Sequence, residues 1–166
     1  MYLISHRGNL NGPRPDAENT MAAVRTALDK GFDCEVDVWL IDDIWYLGHD
    51  RPEQATTLEF ICREGIWCHA KNLDALRFLN KIGAEVFWHE HDARTLTSWG
   101  HIWTYPGQEL CEDSICVHLG QPDTMTIHTP GVCACTCEPS IAGICSDYIE
   151  QFAEIEYEAG HTNTDE

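Results

Sequence analysis

Short apolar segments alternate with amphipathic segments along this chain, and this alternation constrains the fold more than any other feature. Strand-like runs occupy residues 2–6, 32–40 and 66–69. A helical pattern at residues 18–30 repeats apolar side chains every three or four positions and is followed by Gly31, a typical helix terminator. Strands that alternate with helices form a largely parallel sheet. The pattern therefore predicts the α/β class.

The ends of the strands narrow this prediction to an architecture. Polar residues at the carboxyl ends of short strands are typical of a TIM-type barrel. Eight β/α units would leave roughly 21 residues for each unit here, against about 31 in a typical barrel, and the helical signals thin out after residue 90. We therefore expect a compact, pared-down (β/α) TIM-type barrel in which loops replace some helices. Residues 1–159 should form this single domain, and residues 160–166 a polar tail.

The charge balance excludes several classes of partner. The chain has 10 Lys and Arg against 28 Asp and Glu, which gives a formal net charge of −18. Such a charge disfavours nucleic-acid binding and docking on anionic lipid, because both require a basic surface. The first residues have no basic, apolar leader pattern, and no apolar stretch is long enough to span a bilayer. We expect a cytoplasmic protein without stable membrane association.

Nine cysteines occur in the chain, and three of them alternate closely at Cys133, Cys135 and Cys137. An odd count without an export signal predicts mostly reduced thiols. The three alternating thiols would share one face of a strand. Two interpretations stay open for this run: an ordinary core or surface strand, and a metal or disulfide site.

Two acidic residues lie on the same face of the second predicted strand. Glu35 and Asp37 are two positions apart, so their carboxylates point the same way. Adjacent carboxylates repel each other unless a cation lies between them, and hard oxygen ligands suit magnesium, calcium or manganese. The alternative is a solvated face on an acidic protein. The other polar strand ends favour the metal site.

Imidazole and cationic groups follow neighbouring strands. His6 and His49 are suited to proton transfer near neutral pH, although a single histidine is often structural. Arg7 offers a planar fork that matches a phosphate group, with a surface ion pair as the alternative. Lys71 lies at a predicted strand end, where no helix dipole accounts for it.

Four motifs then occur in a specific order: His6-Arg7-Gly8, Glu18-Asn19-Thr20, Glu35-x-Asp37-Val38 and Gly48-His49-Asp50. Their order and spacing over residues 4–50 resemble the glycerophosphodiester phosphodiesterase family, within the phosphatidylinositol-phospholipase-C-like TIM-barrel enzymes. Ala17 stands where the family usually has proline. The segment at residues 143–148 is similar to the closing strand of the family, with Ser146 in place of the usual threonine.

The resemblance implies one divalent metal ion, which is Mg, Mn or Ca, held by Glu35 and Asp37. The third metal ligand of the family is a glutamate at the position of His69. This departure leaves the identity of the metal open. We predict that His69 is a ligand in place of the carboxylate, and the alternative is that it only hydrogen-bonds a phosphate or water.

The resemblance also implies the roles of the other residues. His6 and His49 would act as base and acid, while Arg7 and Lys71 would bind the phosphate and assist catalysis. A substrate hydroxyl next to the phosphoester attacks phosphorus, and water then opens the cyclic phosphate.

Two further residues are predicted to bind substrate. Glu18 would line the site or brace the first loop, and Trp39 would shape the pocket because it shares the face of the two acids. Residues 86–88 are predicted to be a fourth strand. Residues 89–92 follow it and would either reach the mouth of the site or form an exposed acidic turn.

These observations predict a metal-dependent phosphodiester hydrolase that acts on a glycerophosphodiester or a related small phosphodiester. Two alternatives stay open. One is a lipid-directed enzyme resembling phospholipase D, which would need an exposed apolar rim. The other is a non-catalytic ligand-binding or scaffold protein on a degenerate barrel, which the shrinkage of the second half favours.

Overall fold

The computed structural model describes residues 1–122 and 141–161, which form a ten-stranded mixed sheet with four helices. The strands are β1 (Tyr2–His6), β2 (Asp33–Ile41), β3 (Ile44–Leu47), β4 (Gln54–Thr56), β5 (Ile66–Ala70), β6 (Val86–Phe87), β7 (Arg94–Leu96), β8 (Ile102–Thr104), β9 (Ser114–His118) and β10 (Gly143–Ser146). The helices are α1 (Met21–Asp29), α2 (Leu58–Ile61), α3 (Leu73–Ile82) and α4 (Ile149–His161).

The central strands are parallel, in the order β6-β5-β2-β1-β10-β9-β8. β3 and β4 continue from β2 as antiparallel strands, and β7 is antiparallel to β8. The sheet curls strongly, as a contact between its two ends shows: Phe87 on β6 stacks on Trp103 on β8 with the ring centroids 4.5 Å apart. Both ends of the parallel order therefore contribute to one shared inner face.

The prediction of a pared-down TIM-type barrel is wrong: the described residues form a strand-dominated mixed sheet with four short helices. Between β6 and β9 the described residues contain four strands and no helix. Residues 88–93 link β6 to β7 and residues 105–113 link β8 to β9, and both links are too short for the helix that a β/α unit needs. The strand β7 lies in the region after residue 90 where the helical signals thin out.

Capping residues set the bounds of the two helices on the first half of the sheet. The Thr20 hydroxyl accepts a hydrogen bond from the Ala23 amide, so α1 begins after residue 20 and not at residue 18. Asn72 caps α3 in the same way, and Gly83 ends it with a left-handed φ of 76°.

The two faces of β2 explain how the core divides. Cys34, Val36 and Val38 point outward and pack under the helices, in the larger core cluster. Their neighbours Glu35 and Asp37 point to the inner face of the curl. A second apolar cluster fills that inner face and comprises Ile4, Trp67, Phe87, Trp103, Ile115, Val117 and Cys145. This inner cluster is the floor on which the polar strand ends lie.

Two predictions about the whole chain can be compared with the described part. Neither of its ranges contains a helix long and apolar enough to cross a membrane. Six cysteines there are free thiols: Cys34, Cys62, Cys68, Cys111, Cys116 and Cys145. The run of Cys133, Cys135 and Cys137 lies outside the described residues.

A buried acid precedes β6. Glu85 is only 3% exposed, and the Thr97 and Ser98 hydroxyls and the Trp99 amide lie beside its carboxylate as hydrogen-bond donors. Burial raises the pKa of Glu85, although the Thr97 hydroxyl and the Trp99 amide, both nearby, lower it in part. The folded state therefore binds the proton of this carboxyl more tightly than the unfolded state does.

We predict that Glu85→Gln raises the free energy of unfolding at pH 7 by roughly 1 kcal/mol, because the neutral amide avoids a buried charge. Below the pKa of the unfolded carboxyl both states are protonated, so the gain should vanish there, grow between that pKa and the raised pKa of the folded state, and stay constant above it. Urea unfolding at pH 4 and pH 7 measures the difference. A variant that is less stable than the wild type at pH 7 would contradict the prediction.

Candidate functional site

The strand register brings four of the predicted site residues together as two opposite pairs. His6 on β1 lies directly opposite Glu35 on β2. Asp37, two residues further along β2, lies opposite His69 on β5. Parallel strands in this register place all four side chains on the inner face at the same end of the sheet.

The hairpin places His49 above this group. The Arg7 amide, just beyond β1, donates to the Glu35 carbonyl at 2.9 Å. Two residues further along β2, the Gly48 amide donates to the Asp37 carbonyl at 3.2 Å. The β3 arm therefore continues along the edge of β2 where β1 ends, and His49 follows directly.

A cavity of about 220 Å³ opens at this end of the curl, and we call it the site cavity. Six of the nine predicted site residues line it: His6, Arg7, Glu35, His49, His69 and Lys71. Asp37 lies just beneath and is fully buried. The two predicted substrate-binding residues are not in the lining: Glu18 accepts a hydrogen bond from Arg7 at 3.0 Å, and the Trp39 indole donates to the Gly48 carbonyl at 2.6 Å.

The three predicted metal ligands form a compact, buried cluster. One ligand atom from each of Glu35, Asp37 and His69 lies within 4.8 Å of the other two. His69 Nδ1 is 2.9 Å from Asp37 Oδ1 and 3.8 Å from Glu35 Oε1. Glu35 Oε2 and Asp37 Oδ1 are buried and make no hydrogen bond within the described residues. Buried oxygens of this kind require a cation or a donor.

The contact of His69 Nε2 determines whether Nδ1 carries a proton or a lone pair in the neutral ring. Nε2 lies 3.1 Å from the His89 carbonyl oxygen, which can only accept a hydrogen bond, so Nε2 carries a proton. In the neutral imidazole, Nδ1 then presents a lone pair to the Asp37 carboxylate. Two facing lone pairs repel each other unless a proton or a metal ion lies between them. Metal-bound histidines commonly make this carbonyl contact through the other nitrogen.

Glu35 and Asp37 differ in their electrostatic surroundings. Burial, and then the charge of Asp37, raise the pKa of Glu35. Burial would also raise the pKa of Asp37, but the close contact with the His69 ring and the charges of Arg7 and Lys71 lower it well below its usual value. Asp37 is therefore the fixed negative charge of the cluster.

The two cationic residues approach Asp37 from different sides. Arg7 Nε is 3.1 Å from Asp37 Oδ2, and Lys71 Nζ is 3.4 Å from Asp37 Oδ1. Arg7 adopts a left-handed φ of 54°. Two backbone hydrogen bonds hold this conformation: the Arg7 amide donates to the Glu35 carbonyl, and the Arg7 carbonyl accepts from the Asn19 amide. Both cations also line the site cavity, so a phosphate there would meet them beside the carboxylates.

Asn19 supports the carboxylate of Asp37. Its side chain donates to Asp37 Oδ2 at 2.8 Å and accepts from the Asp37 amide at 2.9 Å. Asn19 is not the cap of α1, since Thr20 has that role. It therefore orients the carboxylate from beneath.

Asp147, which follows β10, is the main residue without a predicted role. Its Oδ1 lies 2.8 Å from His6 Nδ1 and also accepts a hydrogen bond from Asn9 at 2.8 Å. Burial would lower the pKa of His6, but the bond to Asp147 and the charge of Glu35 outweigh it and raise the pKa. With Nδ1–H directed at Asp147, Nε2 is the nitrogen available for proton transfer, 3.9 Å from Glu35 Oε2. The only sequence signal for Asp147 was its position directly after the last strand.

The remaining histidines lie near the mouth. His49 is exposed, and its Nδ1 lies 2.7 Å from Asp50 Oδ1. His89 lines the site cavity and stacks on Tyr105, with the ring centroids 3.7 Å apart. Glu90 also lines the cavity, whereas residues 91–92 are exposed.

Comparisons of the chain with protein-family models, with curated proteins and with solved structures found no match.

Proposed function

We propose that this protein is a metal-dependent phosphodiester hydrolase that acts on a glycerophosphodiester or a related small phosphodiester. One observation carries the proposal: the buried Glu35–Asp37–His69 cluster, whose converging ligand atoms a divalent ion would bridge. Arg7 and Lys71 beside the same cavity supply charge for a phosphate. The motif resemblance of residues 4–50 supports the same chemistry.

The donor set fits a divalent metal. Glu35 and Asp37 would supply oxygen ligands, and His69 Nδ1 would supply a nitrogen ligand. Asn19 orients one carboxylate, and the His89 carbonyl fixes the ring of His69. A bound divalent ion would supply electrostatic stabilisation of the phosphoryl oxygens and of an attacking alkoxide.

Two histidines at different positions in the site cavity, His6 and His49, would carry out the two proton transfers. His6 Nε2, held by Asp147, takes the proton of the substrate hydroxyl as its oxygen forms a bond to phosphorus. His49 at the mouth gives a proton to the leaving oxygen as the other phosphoester bond breaks. In the second stage the roles reverse, and water opens the cyclic phosphate. Arg7 and Lys71 hold the phosphate throughout.

The cavity favours a small substrate over the alternatives. Its volume of about 220 Å³ accommodates a polar phosphodiester head rather than an acyl chain. A scaffold protein would gain nothing from buried charges that cost free energy to desolvate. The net charge of −18 disfavours nucleic acid as a substrate. The free thiols of the described cysteines support a cytoplasmic location.

The function is tested by incubating the protein with a panel of glycerophosphodiesters and magnesium, manganese or calcium. The metal is then removed on a chelating resin and the products are quantified by phosphorus NMR. We expect cleavage with at least one metal and none with excess chelator. Failure of all metals with all substrates would contradict the proposal and favour a binding protein.

The nitrogen ligand makes a prediction about metal preference. Calcium prefers all-oxygen ligands, whereas manganese accepts imidazole readily. We therefore expect His69→Ala to weaken manganese binding at least tenfold, and His69→Glu to strengthen calcium binding relative to the wild type. Calorimetric titration of the three proteins with both ions measures these effects.

The matched control is His91→Ala, because His91 is exposed and does not line the site cavity. Its manganese affinity should equal that of the wild type. Unchanged manganese affinity in His69→Ala would remove His69 from the ligand set and leave it a hydrogen-bonding role.

A further inference from the structure

The loop between β1 and α1 contains a buried asparagine that takes no part in the proposed proton transfers. This loop covers residues 7–20, and Asn9 within it is only 1% exposed. Its backbone is hydrogen-bonded on both sides. The Asn9 amide donates to the His6 carbonyl at 2.9 Å, and the Asn9 carbonyl accepts from the Ser5 hydroxyl at 2.7 Å. Asn9 is therefore anchored to the carboxyl end of β1.

The side chain of Asn9 joins two acids. Its Nδ2 donates to Asp147 Oδ1 at 2.8 Å and to Glu18 Oε2 at 3.0 Å. Its Oδ1 accepts from the Arg14 amide at 3.1 Å. A carboxylate only accepts hydrogen bonds and a backbone amide only donates them, so no other orientation of this side chain satisfies all three partners. Asn9 thus uses both of its amide hydrogens and its oxygen.

Each of the two acids holds one residue of the site. Asp147 Oδ1 lies 2.8 Å from His6 Nδ1. Glu18 divides its two oxygens, because Oε1 accepts from Arg7 Nη1 at 3.0 Å while Oε2 accepts from Asn9. One buried amide group is therefore connected, through one acid each, to the proposed base His6 and to the proposed phosphate-binding Arg7.

Asn9 is also the second partner that each acid needs for a fixed orientation. In the part of the chain that the structure describes, the Asp147 carboxylate is hydrogen-bonded to His6 and Asn9 only, and the Glu18 carboxylate to Arg7 and Asn9 only. Without Asn9, each carboxylate could rotate about its remaining partner. A misplacement of about 1 Å in a reacting group can cost roughly 100-fold in rate, so loss of this constraint should be measurable.

A second asparagine of the same loop shows the difference from an ordinary surface contact. Asn11 is exposed and donates to Glu150 at the start of α4, and neither residue lines the site cavity. Both donor bonds of Asn9, in contrast, go to the acids beside His6 and Arg7. Asn11 is therefore the matched control for Asn9.

We propose that Asn9 is a positioning residue that holds His6 and Arg7 in a fixed mutual orientation through Asp147 and Glu18. This inference rests on the proposed function, because both held residues belong to that site. Its first test does not need cleavage. In the proton NMR spectrum of the metal-stripped full chain, the His6 Nδ1 proton shared with Asp147 should give a separate downfield signal that His6→Ala lacks.

The variants are compared by this signal. Asn9→Ala removes the donor that fixes the Asp147 carboxylate, so the His6 signal should disappear or move upfield. Asn11→Ala should leave the signal unchanged. Absence of the signal from the wild-type spectrum would overturn the proposal.

Steady-state kinetics give the second test. We expect Asn9→Ala to lower kcat by roughly 10- to 100-fold through His6 and to raise KM about tenfold through Arg7. Asn11→Ala should keep both constants. A purely structural role would reduce the amount of folded enzyme and leave KM unchanged.

Circular dichroism and the melting temperature separate loss of positioning from loss of fold. If Asn9→Ala does not fold, Asn9→Ser, which keeps one donor, decides in the same measurements. An unchanged His6 signal in a folded variant, or unchanged kcat and KM, would overturn the proposal. If the wild type cleaves no phosphodiester, the proposed function fails, and the His6 signal alone decides the role of Asn9.

Discussion

His6→Ala should lower turnover of a cleaved phosphodiester by roughly 10²–10⁴-fold while the fold stays intact. The reason is the fixed orientation of this imidazole, with Nδ1 2.8 Å from Asp147 and Nε2 available at the site cavity. Alanine removes the group that takes the hydroxyl proton and supplies nothing in its place. Initial rates at saturating metal and substrate measure the loss.

Two further variants make this result specific. Asp147→Asn keeps a hydrogen-bond partner near His6 but removes the charge, so it should lose less activity than His6→Ala and should shift the pH profile. His91→Ala changes an exposed histidine and should keep full turnover. Near-normal turnover in His6→Ala would remove this residue from the mechanism.

The second large effect concerns stability without metal. Asp37→Ala should lower the free energy of unfolding by about 3–5 kcal/mol, because Asp37 is fully buried and faces Arg7, Lys71 and His69. Its removal leaves these groups without their shared partner and also removes the hydrogen bond that the Asn19 side chain donates to Asp37 Oδ2. Urea unfolding of the metal-stripped proteins measures the change.

The matched control is Asp113→Ala, an exposed aspartate, for which the change should stay below about 0.5 kcal/mol. Asp37→Asn keeps the shape of the side chain and should lie between the two. A loss of less than about 1 kcal/mol in Asp37→Ala would show that Arg7 and Lys71 do not depend on this carboxylate.

The site motifs could be recognised in the sequence because each depends only on the spacing of residues that are close together in the chain. Glu35 and Asp37 share a face because they are two residues apart on one strand, and that spacing is visible in the sequence. Asp147 was not assigned a role, because it reaches His6 only through the pairing of β10 with β1. No local pattern encodes that pairing.

The error in the fold has a similar cause. Strand and helix alternate up to α3, and the barrel prediction extended that pattern to the whole chain. Between β6 and β9 the connections are short, so Phe87 and Trp103 close the inner face by side-chain stacking without intervening helices. The placement of Trp39 behind the hairpin, and not in the cavity, also depends on a tertiary contact, its bond to the Gly48 carbonyl.

The central claim is that one divalent ion at Glu35, Asp37 and His69 makes the protein a phosphodiesterase. Manganese is added stepwise to metal-stripped protein, and bound metal by equilibrium dialysis and cleavage rate are measured on the same samples. We predict that the rate rises in proportion to bound metal and levels off at one ion per chain, and that Glu35→Gln loses both while Glu112→Gln, a change at an exposed acid, keeps both. Cleavage that persists without bound metal, or metal binding that Glu35→Gln leaves unchanged, would contradict the claim.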